Sequence, residues 1–299
     1  MKNKLFLFWK PLVAVLFWGL SFIATKIALN ELNPETIILL RLLFGVSLLL
    51  IIAVFNKRDF SIKFKNHAVI FLLALVAVFH LWIQITGLKF TSASNTGWII
   101  GVTPVFMALL GFIFFREKLT ALKTSGILIA FAGLLILMSK GDIFSIGFIS
   151  HKGDFLVLAS AFTWSIYSIL NKRIAMDYPP FMMILFLFMM MAVIIAPFVI
   201  SSESIEAVIH LSAKGWAAVM FLGIFCSGIA YVLWAQALKD LEATKVGAFL
   251  YFEPFITVFA AWFMLNETIN LLTILGGLII TLGVILVNKN GRRKKKLII

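Results

Sequence analysis

Residues 88–104 read LKFTSASNTGWIIGVTP, and residues 238–254 read LKDLEATKVGAFLYFEP. Laid over one another without a gap, they pair Leu88 with Leu238, Lys89 with Lys239, Ala93 with Ala243, Gly97 with Gly247 and Pro104 with Pro254. The same offset then pairs Glu117 with Glu267, Gly126 with Gly276 and Gly133 with Gly283. An ungapped series with a shared proline and three shared glycines marks an internal duplication. Trp18 and Lys26 find Trp164 and Lys172 at a slightly different offset, so one small insertion separates the blocks.

The chain around this repeat is built for lipid. Its 299 residues are 62% hydrophobic and 13% charged, with mean hydropathy +1.08. A soluble domain is about 45–50% apolar and about 25% charged, which argues against a soluble enzyme. One spanning helix needs roughly 20 apolar residues. The apolar runs divide into ten such spans, 11–29, 36–55, 68–87, 94–115, 121–139, 153–170, 181–200, 215–236, 244–265 and 271–288. Pro11 suits a first helical turn, and Pro34 and Pro179–Pro180 stand just before spans, as breakers do. Barrel strands would be about 10 residues long with alternating polarity, and these runs are longer and apolar on all sides. Residues 5–29 begin like a signal peptide, but no small-residue cleavage motif follows, so they read as a retained first helix.

The expected fold is therefore an all-α polytopic membrane protein with ten transmembrane helices as two inverted five-helix repeats. Five is odd, so a second copy would cross the membrane upside down, as in many secondary transporters. The first repeat would occupy 1–139, a connecting loop 140–152, the second repeat 153–288 and a basic tail 289–299. Gly126, Gly133, Gly276 and Gly283 recur at one face of spans five and ten, where small residues allow close helix contact. They suit packing of those spans on each other or on a second copy, so a homodimer is open.

Charge sets orientation and partners. The net charge is +13. With the N-terminus inside, 20 of the 26 Lys and Arg fall in inside segments and four in outside loops. The positive-inside bias then puts both termini in the cytoplasm, in a cytoplasmic (inner) membrane. The bases sit between apolar runs, so membrane lipid is their expected partner and nucleic acid is not. Cys226 is the single cysteine and the four His show no ligand spacing, so neither a disulfide nor a metal site is expected. No phosphate-cradling loop, nucleophile elbow or zinc motif occurs, so no cofactor and no enzyme activity are expected.

The candidate chemistry lies in polar residues within the spans, which usually mark a pathway or a pair. Glu253 sits mid-span directly before Pro254, which removes a helical donor and disturbs the ladder. A carboxylate there can hold an amine or exchange a coupling proton, or it can make an interhelical bond. Lys26 can snorkel, pair with Glu253 or attract a solute carboxylate. Arg41, near the outer end of span two, reads as an anchor for lipid phosphate or a loop. His80 and Gln84 share a face of span three, and Asn95 and Trp98 a face of span four. With Trp18 on span one, Trp164 and Tyr167 on span six, Tyr231 on span eight and Tyr251 on span nine, they can line an aromatic cavity. Trp and Tyr also form interface belts, and Trp9 reads as belt. Such a cavity suits a small amphipathic organic solute better than a hydrated inorganic ion.

Together these features resemble the drug/metabolite transporter superfamily. They are the spans, the repeat, Trp18-Gly19-Leu20-Ser21-Phe22 with Lys26, Pro104 with Arg116-Glu117-Lys118, and Glu253-Pro254 with Asn266-Glu267. The nearest branch is its ten-span EamA family, which includes YddG-type amino-acid and metabolite exporters. The resemblance implies a substrate cavity between the halves and a secondary transporter that exports small amphipathic metabolites, such as amino acids or amines, by alternating access. Coupling would be to a proton or a counter-solute. Pro104, Glu117, Pro254 and Glu267 would serve gating or structure. A facilitator or importer of the same fold, and a flippase for a lipid or lipid precursor, are the alternatives.

Overall fold

A computed structural model describes residues 8–60, 67–115, 120–139, 152–175, 179–241 and 246–288. Every regular element there is helical. Helix α1 (Trp9–Ala28) carries Pro11 in its first turn, where the missing N–H has no intrahelical role. Helix α2 (Pro34–Phe55) starts on a proline with Glu35 beside it, a carboxylate favoured at a helix N-terminus. After α3 (His67–Lys89) come α4 (Ala93–Ile100), α5 (Thr103–Phe115), α6 (Ala121–Ser139), α7 (Lys152–Ala175) and α8 (Pro180–Ile195). A short amphipathic helix α9 (Ser202–Ile209) precedes α10 (Ala213–Phe221). That helix runs through a π-helical stretch, Leu222–Ile229, into α11 (Ala230–Asp240). A 3-10 turn, Ala248–Phe252, leads into α12 (Glu253–Leu265), and α13 (Leu271–Asn288) ends the described chain.

This corrects the expectation of ten regular spans in two inverted five-helix repeats. Among the described residues, six helical stretches are long and apolar enough to cross a membrane: Trp9–Ala28, Pro34–Phe55, Ala68–Lys89, Lys152–Asn171, Pro180–Phe198 and Ala213–Asp240. The other apolar runs are shorter or broken. The run 94–115 splits into α4 and α5 at Gly101–Val102, just before Pro104. In the run 244–265 the 3-10 turn Ala248–Phe252 interrupts the helix, which resumes as α-helix at Glu253, just before Pro254. The apolar stretches Ala121–Ile136 and Leu271–Leu286, within α6 and α13, are not among the six. The physical reason is the same at both breaks. Proline has no N–H to give and its ring clashes one turn back, so an apolar run of sufficient length need not be one helix.

Helices α6 and α13 pack face to face through the repeated glycines. A Cβ on Gly133 would lie 2.7 Å from the Ile280 amide nitrogen and 2.8 Å from the Gly276 carbonyl, so only hydrogen fits. Of the two partners open to these glycines, the observed one is the other helix of the same chain.

Two apolar clusters fill the bundle. One joins α1, α2, α3, α7, α8, α10 and α11, with Ile38, Leu42, Leu73, Phe188 and Trp234 fully buried. The other joins α4, α5, α6, α7, α12 and α13 around Trp98, Ala161, Ala261 and Ile280. Large apolar side chains such as Phe131, Val193 and Phe263 point outward, as lipid requires and water would penalise. The molecule is an all-α, largely membrane-helical, polytopic protein. The candidate site lies at the seam between the clusters.

Candidate functional site

Both helix breaks meet at this seam. The Thr103 hydroxyl donates to the Ile100 carbonyl at 2.6 Å, and the Thr103 carbonyl accepts from the Ser165 hydroxyl at 3.1 Å. A Cβ on Gly101 would lie 3.0 Å from the Pro254 ring, so the breaks touch. The Thr257 hydroxyl donates to the Gly19 carbonyl at 3.0 Å and to the Glu253 carbonyl at 2.9 Å. The Ile100 carbonyl, four residues before Pro104, is thus satisfied by a hydroxyl, and Thr257 pins α12 against α1 with the Glu253 side chain facing inward.

It faces a cavity of about 450 Å³ of empty space, part of it open to solvent. Six residues singled out in the sequence line it, namely Trp18, His80, Gln84, Trp164, Tyr231 and Glu253. The aromatic wall is continuous. Ring centroids lie 5.2 Å apart for Trp18–Trp164, 5.5 Å for Trp18–Tyr231 and 5.7 Å for Trp164–Tyr231, all edge to face. His80 lies 5.1 Å from Trp164, and its Nδ1 donates to the Ser160 carbonyl at 3.0 Å. A carbonyl can only accept, so Nδ1 carries the proton. Glu253 is buried, and among the described residues no hydrogen bond or ion pair reaches its carboxylate.

Five of the residues expected at the cavity lie elsewhere. Lys26 donates to the Leu88 carbonyl at 2.8 Å and to the Thr91 carbonyl at 2.6 Å, closing the end of α3. Its ammonium is thereby occupied, and neither snorkelling nor a pair with Glu253 describes it. Asn95 belongs to the capped first turn of α4, where its amide donates to the Ser92 hydroxyl. Trp98 points to the other side of α4, 5.2 Å from Phe255 and over Gly277, where a Cβ would strike its ring. Tyr167 is fully buried, stacked 4.9 Å from Trp164, and its hydroxyl accepts from Asn171. Tyr251 donates to the Val284 carbonyl at 3.0 Å and so ties the 3-10 turn to α13.

The residues assigned to gating or structure separate similarly. Pro104 and Pro254 stand in the first turns of α5 and α12, at the two breaks. Glu267 caps α4: one carboxylate oxygen accepts from the Ala93 amide at 2.8 Å, the other from the Ser94 amide at 3.0 Å and its hydroxyl at 2.7 Å. Glu117 lies outside the described residues.

Arg41 is what sequence reasoning missed. It lines the cavity, is buried, and donates through Nε to the Ser227 hydroxyl at 3.0 Å. The seven residues from Pro34 carry it about 10 Å below the start of α2, too deep for an anchor to lipid phosphate. The available signal was its charge within an apolar run.

Among the described residues no group of three or more His, Cys, Asp or Glu could hold a metal ion.

Comparison with known proteins supplies the context. The EamA-like transporter family matches this chain over residues 5–139 and again over 151–289. The chain belongs to the EamA-like transporter family. An uncharacterized transporter of Archaeoglobus fulgidus is 32% identical over 92% of this chain and 94% of its own length. The uncharacterized transporter YoaV of Bacillus subtilis is 26% identical over 94% of this chain and 96% of its own. A protein of solved crystal structure shares the fold, with TM-score 0.69 at 19% identity over 93% of this chain and 94% of that one. EamA membership places the chain in the drug/metabolite transporter superfamily as a secondary transporter that handles a small organic solute at a membrane, and not as an enzyme.

Proposed function

We propose that this EamA-family protein exports small amphipathic metabolites of the amino-acid or amine class. In this reading it is a YddG-type exporter of the cytoplasmic membrane with both termini inside. The observation that carries it is Glu253, a buried carboxylate without a hydrogen-bonding or ion-pairing partner among the described residues, at a helix break in an aromatic cavity. An isolated charge in such surroundings is costly unless a partner arrives. A solute ammonium supplies that partner, and a proton does so between solutes.

The segments 8–139 and 152–288 contribute Trp18, Arg41 and His80 on one side and Trp164, Tyr231 and Glu253 on the other. A solute held between them touches both. Movement of one segment against the other would then open the cavity to alternate faces. Binding drives closure only if the occluded state holds the solute most tightly.

The test is flux in sealed proteoliposomes against a mixed panel of amino acids and small amines, with and without an imposed proton gradient. Saturable flux of one class, abolished in Glu253→Gln, supports the reading. Flux that follows the gradient identifies proton coupling. Folded protein that moves no member of the panel above empty vesicles removes amino acids and amines as its solutes.

A further inference from the structure

Arg41 and Glu253 present opposite charges to the same cavity, and among the described residues neither is neutralised by a direct contact. Both side chains are buried and both line the space. Among the described residues the ion pair within 4.0 Å is Lys10 with Asp240, far from either. Among the described residues the Arg41 guanidinium is steadied at one point, Nε on the Ser227 hydroxyl, which leaves the two terminal nitrogens of the fork uncommitted there. A link from α2 to the π-helical stretch needs only a neutral donor. A permanent charge there carries a desolvation penalty that meeting an anion would offset. Lys26 of α1 is taken by two backbone carbonyls, so it does not compete for that anion.

We propose that Arg41 is the anion subsite of the cavity and that the protein thereby selects zwitterions. The solute's carboxylate lies on the guanidinium fork, its ammonium on Glu253, and its apolar or aromatic body against Trp18 and Trp164. Arginine suits this better than lysine. Its planar fork matches a carboxylate bidentately and never loses its proton. The bound complex is electrically balanced, because the solute's two charges meet two protein charges of opposite sign. A plain amine leaves Arg41 unpaired, and a plain carboxylate leaves Glu253 unpaired. A site that buries polar groups rejects analogues lacking the matching group more strongly than it rejects a change in apolar size.

The inference rests on Glu253 as the amine site, and three probes separate the two ideas. Tryptophan carries both charges, tryptamine the ammonium alone and indole-3-acetate the carboxylate alone. With the full chain in proteoliposomes, wild type is expected to prefer tryptophan to tryptamine by about tenfold or more, the scale of one lost charged hydrogen bond. Arg41→Gln is expected to lose tryptophan flux while keeping tryptamine flux, so that the preference collapses. Ser227→Ala keeps the charge and is expected to keep the preference. If Arg41→Gln lowers tryptophan and tryptamine by one common factor in protein of wild-type thermal midpoint, Arg41 is structural and the inference fails, while the Glu253 reading stands. If Arg41→Gln does not fold, Arg41→Lys replaces it, expected to retain the preference with a higher KM. Equal losses there overturn the inference. A wild type that moves none of the three probes overturns both ideas together.

Discussion

The indole N–H of Trp18 donates to the Cys226 carbonyl at 3.0 Å, reaching from the middle of α1 into the π-helical stretch that joins α10 to α11. The next residue of that stretch, Ser227, receives Nε of Arg41. The π stretch therefore serves as a shared dock. Its carbonyl ladder is loosened by the wider winding, and one freed acceptor is satisfied by a cavity tryptophan. Trp18 is at once a wall of the cavity and a link between α1 and this stretch.

Trp18→Phe keeps most of the ring and removes the donor. Interhelical hydrogen bonds in membranes average about 0.6 kcal/mol, so a small loss of thermal midpoint is expected. The larger effect is expected on KM, because the wall against Trp164 and Tyr231 loses its fixed angle. Thermal unfolding in detergent and flux kinetics on one preparation measure the two.

Glu267 holds the first turn of α4 through both carboxylate oxygens. Glu267→Ala leaves the Ala93 and Ser94 amides without acceptors. Loss of a helix cap costs about 1 kcal/mol, up to about 2. Faster hydrogen exchange is expected at Ala93 and Ser94, with little change in the middle of α3. Unchanged exchange at these amides would show that the cap is not what orders α4.

Gly133 faces the backbone of α13, where no side chain can give way. Gly133→Ala is expected to cost about 1–3 kcal/mol, as overpacking does, and to lower the yield of monodisperse protein. The same change at Gly247, whose Cβ would meet nothing nearer than the Met107 sulfur at 4.0 Å, is expected to be tolerated. Size-exclusion profiles of the pair decide between a tight and a loose α6–α13 contact.

Glu31, in the turn after α1, accepts from the Ser212 amide at 2.8 Å and the Ser212 hydroxyl at 2.7 Å. These bonds favour the charged form and hold the carboxyl below its ordinary 4.5. A lowered folded-state value stabilises the fold fully above the unfolded value, and the gain is lost as pH falls through the folded value. Thermal midpoints measured from about pH 6 downward are therefore expected to fall below the ordinary carboxylate range. Glu31→Gln should flatten that acid limb and leave the neutral region nearly unchanged.

Much of the site was legible before any coordinates, because proline and charge are rare within apolar runs and so carry information. Pro254 and Glu253 point to one disturbed helix and to the carboxylate, whereas the run holding Pro104 reads as one continuous span. Rotation about each helix axis was not legible. A span apolar on every side has no preferred face, so Asn95 and Trp98 could be placed on a common side of α4 but not toward a particular neighbour. Trp98 turned to α13, and Lys26 turned to the carbonyls ending α3. Arg41 differs for the reverse reason: its nearness to the helix end suggests an anchor at the membrane surface, whereas its side chain points into the cavity. Counting spans by hydropathy treated each apolar run as one helix. That treatment fails where a proline or a 3-10 turn interrupts the run, and hydropathy alone registers neither.

The central claim is that an amphipathic amine or amino acid is held at Glu253 and carried across the membrane. Counterflow tests it most directly: proteoliposomes loaded with unlabelled tryptophan are diluted into a trace of labelled tryptophan. A transient accumulation of label above equilibrium is expected in wild type and is expected to be absent in folded Glu253→Gln. Equal counterflow in both proteins would contradict the assignment of Glu253. No counterflow by folded wild type with any amino acid or amine tried would contradict the proposed function itself.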